Sequence, residues 1–268
     1  MNNLSSTSKL VYDRFPSKIN SLTHLKQFLN NEIKTVIDVG VLNGTPELIK
    51  VFNDCKHVLV EPVESFHENI IKVYNDHDIE FDLIKIACSN KIGKNELRVF
   101  NHMTEDDYPT GSTLITRNEK KENNRAEIQI TEVDTTTLDD LCKSYLGPFV
   151  IKIDVDGHEF EILKGSGNCL EHTYLFVIEA WTSRIEETIR ILSNKGFALW
   201  DITDFCYTRA QMSQVDLVFL NKSLFKNSNY KEISPTYFGF KSKDKGSYFR
   251  FLEKSIDEHQ LNVYRDLS

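Results

Sequence analysis

Residues 35–50 read TVIDVGVLNGTPELIK. Val36, Ile37 and Val39 form a short apolar run that stops at Gly40, as a strand buried on both faces does. Pro46 stands where proline suits the first turn of a helix, with Thr45 before it as the expected N-cap. The stretch therefore predicts a strand, a turn bearing Gly40 and Gly44, and a helix. Glycines in such a turn let backbone approach a ligand closely, and the helix start offers free N–H groups.

The pattern repeats outward. HVLVEP (57–62) reads as a second strand, and Pro62 opens a helix with Val63, Phe66, Ile70, Val73 and Tyr74 on one stripe. DLIKIACS (82–89) reads as a third strand. Upstream, Leu22, Leu25, Phe28, Leu29 and Ile33 recur at helical spacing. Downstream come strands at 91–101 and 125–133, with a polar loop between them that contains NEKKENN (118–124) and YPTGSTL (108–114). A helix follows over 135–145, where Thr137 and Asp140 have capping-box spacing. The strand FVIKIDV (149–155), a short helix ending near Gly165, the strand TYLFVIEAW (173–181), a helix over 184–196 and the strands FALWDI and VDLVFLN complete the pattern. Alternating strands and helices predict an α/β fold: about seven strands, mostly parallel, with helices on both faces.

Three segments are expected: an N-terminal segment and helix (1–34), the α/β domain (35–221), and a C-terminal extension packed on the same domain (222–268). The 268 residues are 40% hydrophobic, enough for one large core, and carry a formal charge of −8. That balance disfavours a nucleic-acid partner. The five cysteines, at 55, 88, 142, 169 and 206, include no C-x-x-C pair, which argues for thiols in a reducing compartment, the cytoplasm. No secretory signal and no membrane span is expected, and a homo-oligomer is left open.

In an open α/β sheet, ligands bind beyond the carboxyl ends of the strands. Those ends here carry Asp38-x-Gly40-x-x-x-Gly44, Glu61, Ala87-Cys88-Ser89, the Asp154–Glu159 cluster and Glu179. The dinucleotide fingerprint G-x-G-x-x-G is missing. Glu61, 23 residues after Asp38, stands where an acid accepts hydrogen bonds from both hydroxyls of an adenosine ribose.

The stretches VIDVGVLNGT, VLVEPVES, IACSNKIGKNEL, GSTL, EVDTTTLDDL and FVIKIDVDGHEFEILKG, in this order and spacing, resemble the FkbM family of S-adenosylmethionine (SAM)-dependent methyltransferases, which have a Rossmann-like class I fold. The resemblance covers roughly residues 35 to 220. Val41 and Leu42 depart from the Ala-Asn usual there, so backbone rather than side-chain contacts are expected at 42. The resemblance implies SAM, with Asp38, Gly40 and Gly44 around its methionine part, Glu61 at the ribose, Ala87, Cys88 and Ser89 by the adenine, Asp154 near the sulfonium, and Pro62 also among the cofactor-binding residues. It also implies an O-methyltransferase acting on a hydroxyl of a glycan, a sugar nucleotide or a glycosylated small molecule. A carboxylate or amine acceptor, or a non-catalytic SAM-binding protein, is the alternative.

Methyl transfer to a hydroxyl needs alignment and removal of a proton. Asp156 and His158 are the competing bases, with Glu159 to orient either. Asp154, Asp156 and Glu179 are the residues that would hold Mg²⁺, a cation that prefers carboxylate oxygens. Trp181, beside Glu179, either packs near the sheet end or stacks on a sugar ring.

Overall fold

The structure, a computed structural model, describes residues 17–100, 113–114 and 128–227. The expectations for residues 1–16, for NEKKENN and for most of the C-terminal extension lie outside the described residues.

Helix α1 (Lys18–Phe28) starts earlier than its apolar stripe suggests, because the Ser17 hydroxyl accepts a hydrogen bond from the N–H of Asn20 at 3.3 Å. Strands β1 (Thr35–Val39) and β2 (Lys56–Val60) flank helix α2 (Pro46–Val51), and helix α3 (Glu64–Asp76) leads to β3 (Phe81–Ile84). Thr45 does not cap α2 with its side chain. Its hydroxyl instead donates to Asp38 at 2.6 Å. Asp38 is fully buried, so that bond answers the larger need.

The third strand is shorter than the sequence suggests. After Ile84 the chain leaves the sheet, and Ala87–Cys88 (β4) pairs instead with Thr135–Thr136 of β7 (Ile128–Thr136). β7 in turn pairs antiparallel with β5 (Gly93–Phe100), and β6 (Thr113–Leu114) closes the edge. A four-stranded second sheet, in the order β4-β7-β5-β6, thus stands beside the main one. The two runs around the polar loop form strands as expected, but in this separate sheet.

Helix α4 (Leu138–Cys142) is a single short piece, capped by the Thr137 hydroxyl at 3.1 Å from the N–H of Asp140. Strand β8 (Phe149–Ile153), helix α5 (Glu159–Lys164), strand β9 (Thr173–Trp181), helix α6 (Ile185–Asn194) and the long hairpin of β10 (Phe197–Thr208) and β11 (Gln211–Asn221) follow. The main sheet has seven strands in the order β3-β2-β1-β8-β9-β11-β10. Only β11 is antiparallel, to both of its neighbours. This is the α/β, Rossmann-like arrangement of class I methyltransferases. Among the described residues no helix is long and apolar enough to cross a membrane.

Strand alternation divides the core. Ile37, Ile151, Phe176 and Ile178 pack one face with α4, α5 and α6. Val36, Val150, Val177 and Val218 pack the other with α1 and α2. The order reverses between β1 and β8: the chain runs from β1 towards β3, then returns to β8 and builds the other way. Turns after these two neighbouring strands therefore diverge and leave a crevice at their carboxyl ends.

Gly40 makes that junction possible. Its φ is +85°, and a Cβ there would lie 1.8 Å from the Asp154 carbonyl oxygen. We expect Gly40→Ala to destabilise the fold by about 2–4 kcal/mol, from left-handed strain plus overpacking. Denaturant unfolding measures it, and a loss below about 0.5 kcal/mol would contradict the close approach.

Candidate active site

The crevice widens into a cavity of about 610 Å³. That lies within the range of small-molecule sites, roughly 300–1,000 Å³. Its two ends differ chemically. Val60, Val63, Phe66, Ala87, Cys88, Leu97 and Leu114 make an apolar end, while Asp154, Asp156 and Glu179 line an acidic one. Gly40, Leu42, Glu61 and Pro62 lie along the wall, and His158, Trp181 and Gln214 complete it. Leu97 and Leu114 come from the second sheet, so its displacement from the main sheet is what closes the apolar end.

Glu61 is buried, and both of its oxygens accept backbone hydrogen bonds: Oε2 from Leu42 at 3.0 Å, Oε1 from Val63 at 2.9 Å. Burial pushes its pKa up, and the N–H donors oppose this. Leu42 carries a φ of +54°, a conformation a leucine rarely adopts. The bond from its N–H to Glu61 is part of what holds it there.

Beneath the cavity floor lies a row of charge. Lys152 is buried, with its ammonium 3.0 Å from Asp154 and 3.6 Å from Asp38. Burial alone lowers a lysine pKa, but Asp154 and Asp38 overcome this and hold Lys152 above its ordinary value. Asp38 goes up through burial, against the pull of Lys152 and Thr45. Burial also acts to raise Asp154, but Lys152 prevails and holds it below the usual carboxylate range. On the same face, Lys18 of α1 meets Glu47 at 2.6 Å and Asp216 at 2.7 Å. Asp216 lies opposite Glu179 in the β9–β11 pairing. Two lysines thus pair with five carboxyl groups, Asp38, Asp154, Glu47, Asp216 and, at 3.5 Å, Asp204, and neither pairs with Glu179.

Glu179 bears that shortage. Burial, then the charges of Asp154, Asp156, Asp216 and Glu159, push its carboxyl up to about 8. Its Oε2 is buried and makes no hydrogen bond among the described residues. Near neutral pH Glu179 is therefore mainly a neutral acid.

The expected site residues divide into two groups. Gly40, Glu61, Pro62, Ala87, Cys88, Asp154, Asp156, His158 and Glu179 line one cavity. Asp38, Gly44, Ser89 and Glu159 do not. Asp38 lies below the floor. Gly44 faces Val73 and Tyr74 of α3. Ser89 turns its hydroxyl to His158 Nε2 at 3.0 Å, away from the apolar end. Glu159 is buried with its Oε1 accepting from the N–H of Gly157 at 2.8 Å. The Mg²⁺ expectation finds no support: among the described residues no group of three or more His, Cys, Asp or Glu side chains could hold a metal ion, and Lys152 already occupies Asp154. Gln214 and Arg184 fall in no motif, and Leu97, Leu114 and Lys152, although inside quoted stretches, were assigned no role. Lys152 had one signal, a charge inside an otherwise apolar strand.

The Glu179 shift has a consequence for stability. Its pKa is raised from 4.5 to about 8 in the folded chain. The contribution of its proton is complete below the unfolded value and is lost as pH rises through the folded one. Glu179→Gln stays neutral throughout, so its Tm relative to the unsubstituted protein should climb between about pH 5 and about pH 8.5. A pH-independent difference would contradict the burial of this carboxyl.

A sequence profile of the methyltransferase FkbM domain matches residues 38–199, more than half of the chain. No curated protein matches in sequence. Among solved structures, an rRNA methylase from Streptococcus thermophilus is 10% identical, covering 74% of this chain and 95% of that one, with a TM-score of 0.42. The magnesium protoporphyrin IX methyltransferase of Synechocystis PCC 6803, with bound SAM, is 10% identical, covering 82% and 86%, with a TM-score of 0.41. The matched span takes in the glycine turn, Glu61, the Asp154–His158 turn and Glu179: the chain belongs to the methyltransferase FkbM domain family and is a SAM-dependent methyltransferase.

Proposed function

We propose that the protein is an O-methyltransferase whose acceptor is a sugar hydroxyl, and that the 610 Å³ cavity holds SAM with its adenosine towards the apolar end and its charged end towards Asp154. The observation that carries the placement is the charge imbalance. The acidic end of the cavity bears Asp154, Asp156 and Glu179, Lys152 is shared between Asp154 and Asp38, and Glu179 stays mainly protonated for want of a cation; a sulfonium with an ammonium group would supply one. Gly40 would let the ligand approach the backbone, Glu61 would accept the ribose hydroxyls on its remaining lone pairs, and Pro62, Ala87 and Cys88 would lie against the adenine. Asp38 would act from below, through Lys152 and Thr45, and Gly44 by setting the turn.

SAM supplies the methyl group. The chain must orient the acceptor and take its proton. Asp156 and His158 both border the cavity on the side of Glu179 and Trp181. Ser89 fixes the His158 ring through Nε2. Trp181 lines the cavity and is 42% exposed, and its ring would stack on the sugar. The acidic end supports a neutral acceptor over a carboxylate, and the overall charge of −8 supports one that is not RNA. The hydroxyl on a sugar comes from the family resemblance. Free thiols at all five cysteines fit a cytoplasmic setting.

Incubation with methyl-labelled SAM and a panel of monosaccharides, sugar nucleotides and oligosaccharides should yield a methyl ether by mass spectrometry. An N-methyl or methyl-ester product from a wider panel would replace the sugar reading. Glu61→Gln should weaken SAM binding at least about tenfold, or ~1.4 kcal/mol, by calorimetry. Unchanged affinity in a folded variant would move the ribose elsewhere. One of Asp156→Asn and His158→Ala should lower turnover by about 10²-fold or more, with SAM affinity nearly kept. Wild-type rates in both would remove these two as the proton acceptor.

A further inference from the structure

The residues that bracket Gly157 come from separate elements. Asp156 has a φ of +52° and Gly157 a φ of +105°, so the chain makes two left-handed steps in succession between β8 and α5. A glycine adopts such a conformation freely, and Asp tolerates it better than most residues. Neither step is held by a strand or a helix. The Gly157 peptide is instead tied at both ends: its N–H donates to Glu159 Oε1 at 2.8 Å, and its carbonyl accepts from Arg184 Nη1 at 3.0 Å.

Arg184 lies at the end of the short turn Thr182–Arg184, just past Trp181 on β9. Its guanidinium also stacks over the Phe160 ring, 5.2 Å from the centroid. Burial raises the Glu159 pKa, and the N–H of Gly157 and, more weakly, the charge of Arg184 oppose this. One planar cation thus holds a carbonyl and an aromatic face together, which a flexible ammonium cannot do equally well. The residues on either side of the clamped peptide are Asp156 and His158, both on the cavity wall.

We infer that Arg184 is a positioning residue for methyl transfer. With Glu159 it clamps the Gly157 peptide so that Asp156 and His158 keep their place beside the acceptor. Glu159, expected as a catalytic group, is the inner half of this clamp. The inference rests on the reading of Asp156 and His158 given above, and it links the strand end that bears Trp181 to the turn that bears the proton acceptor.

The test uses the full chain with Arg184→Ala and Arg184→Lys, and three readouts. Hydrogen exchange of the 154–160 segment should speed up in Arg184→Ala. Affinity for S-adenosylhomocysteine should stay within about twofold, because Arg184 does not border the cavity. Turnover of labelled methyl into the acceptor panel should fall by about tenfold or more, with KM for SAM nearly constant. Arg184→Lys should recover part of that loss. Exchange unchanged in Arg184→Ala overturns the clamp. Faster exchange with turnover within about twofold of wild type overturns the positioning role. Parallel losses of melting temperature, cofactor affinity and turnover overturn it too, in favour of a general structural role. If Asp156→Asn and His158→Ala are both silent, the reading of those two residues fails by itself, and the exchange measurement still decides whether the clamp exists.

Discussion

The ammonium of Lys152, enclosed by the sheet and shared by Asp38 and Asp154, is the interaction on which the remainder depends. It joins β1 to β8, the two strands at which the order of the sheet reverses. Without it Asp38 would be a wholly buried carboxylate whose protein partners reduce to the Thr45 hydroxyl. Removing one member of a buried pair costs about 3–5 kcal/mol, because the other charge is left uncompensated. The pair therefore fixes the place where the crevice opens. Gly40 then permits the backbones to meet there, with no room for a side chain.

Charge is carried outward from this pair without being balanced. Asp154 is kept ionised by Lys152, and Glu179 next to it cannot easily follow. Lys18, arriving from the first helix, serves Glu47 and Asp216 instead. The acidic end of the cavity is thus set by the same packing that stabilises the sheet. A third lysine on this face would relieve the repulsion, and on the proposed placement of the methyl donor it would also compete with that ligand's charge.

The second sheet has a complementary role. It draws Ala87 and Cys88 away from the parallel strands and sets Leu97 and Leu114 over the opposite end of the cavity. A long ligand with one apolar, planar part and one charged part would be accommodated by this division. The clamp on Gly157 then sets the third wall, where the acceptor would approach.

Much of this was legible in the chain itself. The glycine turn at 40–44, the acid at 61 and the cluster at 154–159 were marked by their positions after apolar runs, since strand period and turn chemistry are local properties. The sequence by itself determined the α/β order, the carboxyl-end location of the site, and the family. Tertiary structure alone decided which of those residues border the cavity and which support it. Asp38 and Glu159 carry the right chemistry, but one is directed beneath the floor and the other bonds to its own turn. Gln214 carries no signature, yet non-local packing brings it to the cavity wall, and Arg184, equally unmarked, reaches the Gly157 turn beside it. Side-chain direction at a strand end depends on what the neighbouring strands and covering helices leave open, and those neighbours lie tens of residues away in the chain.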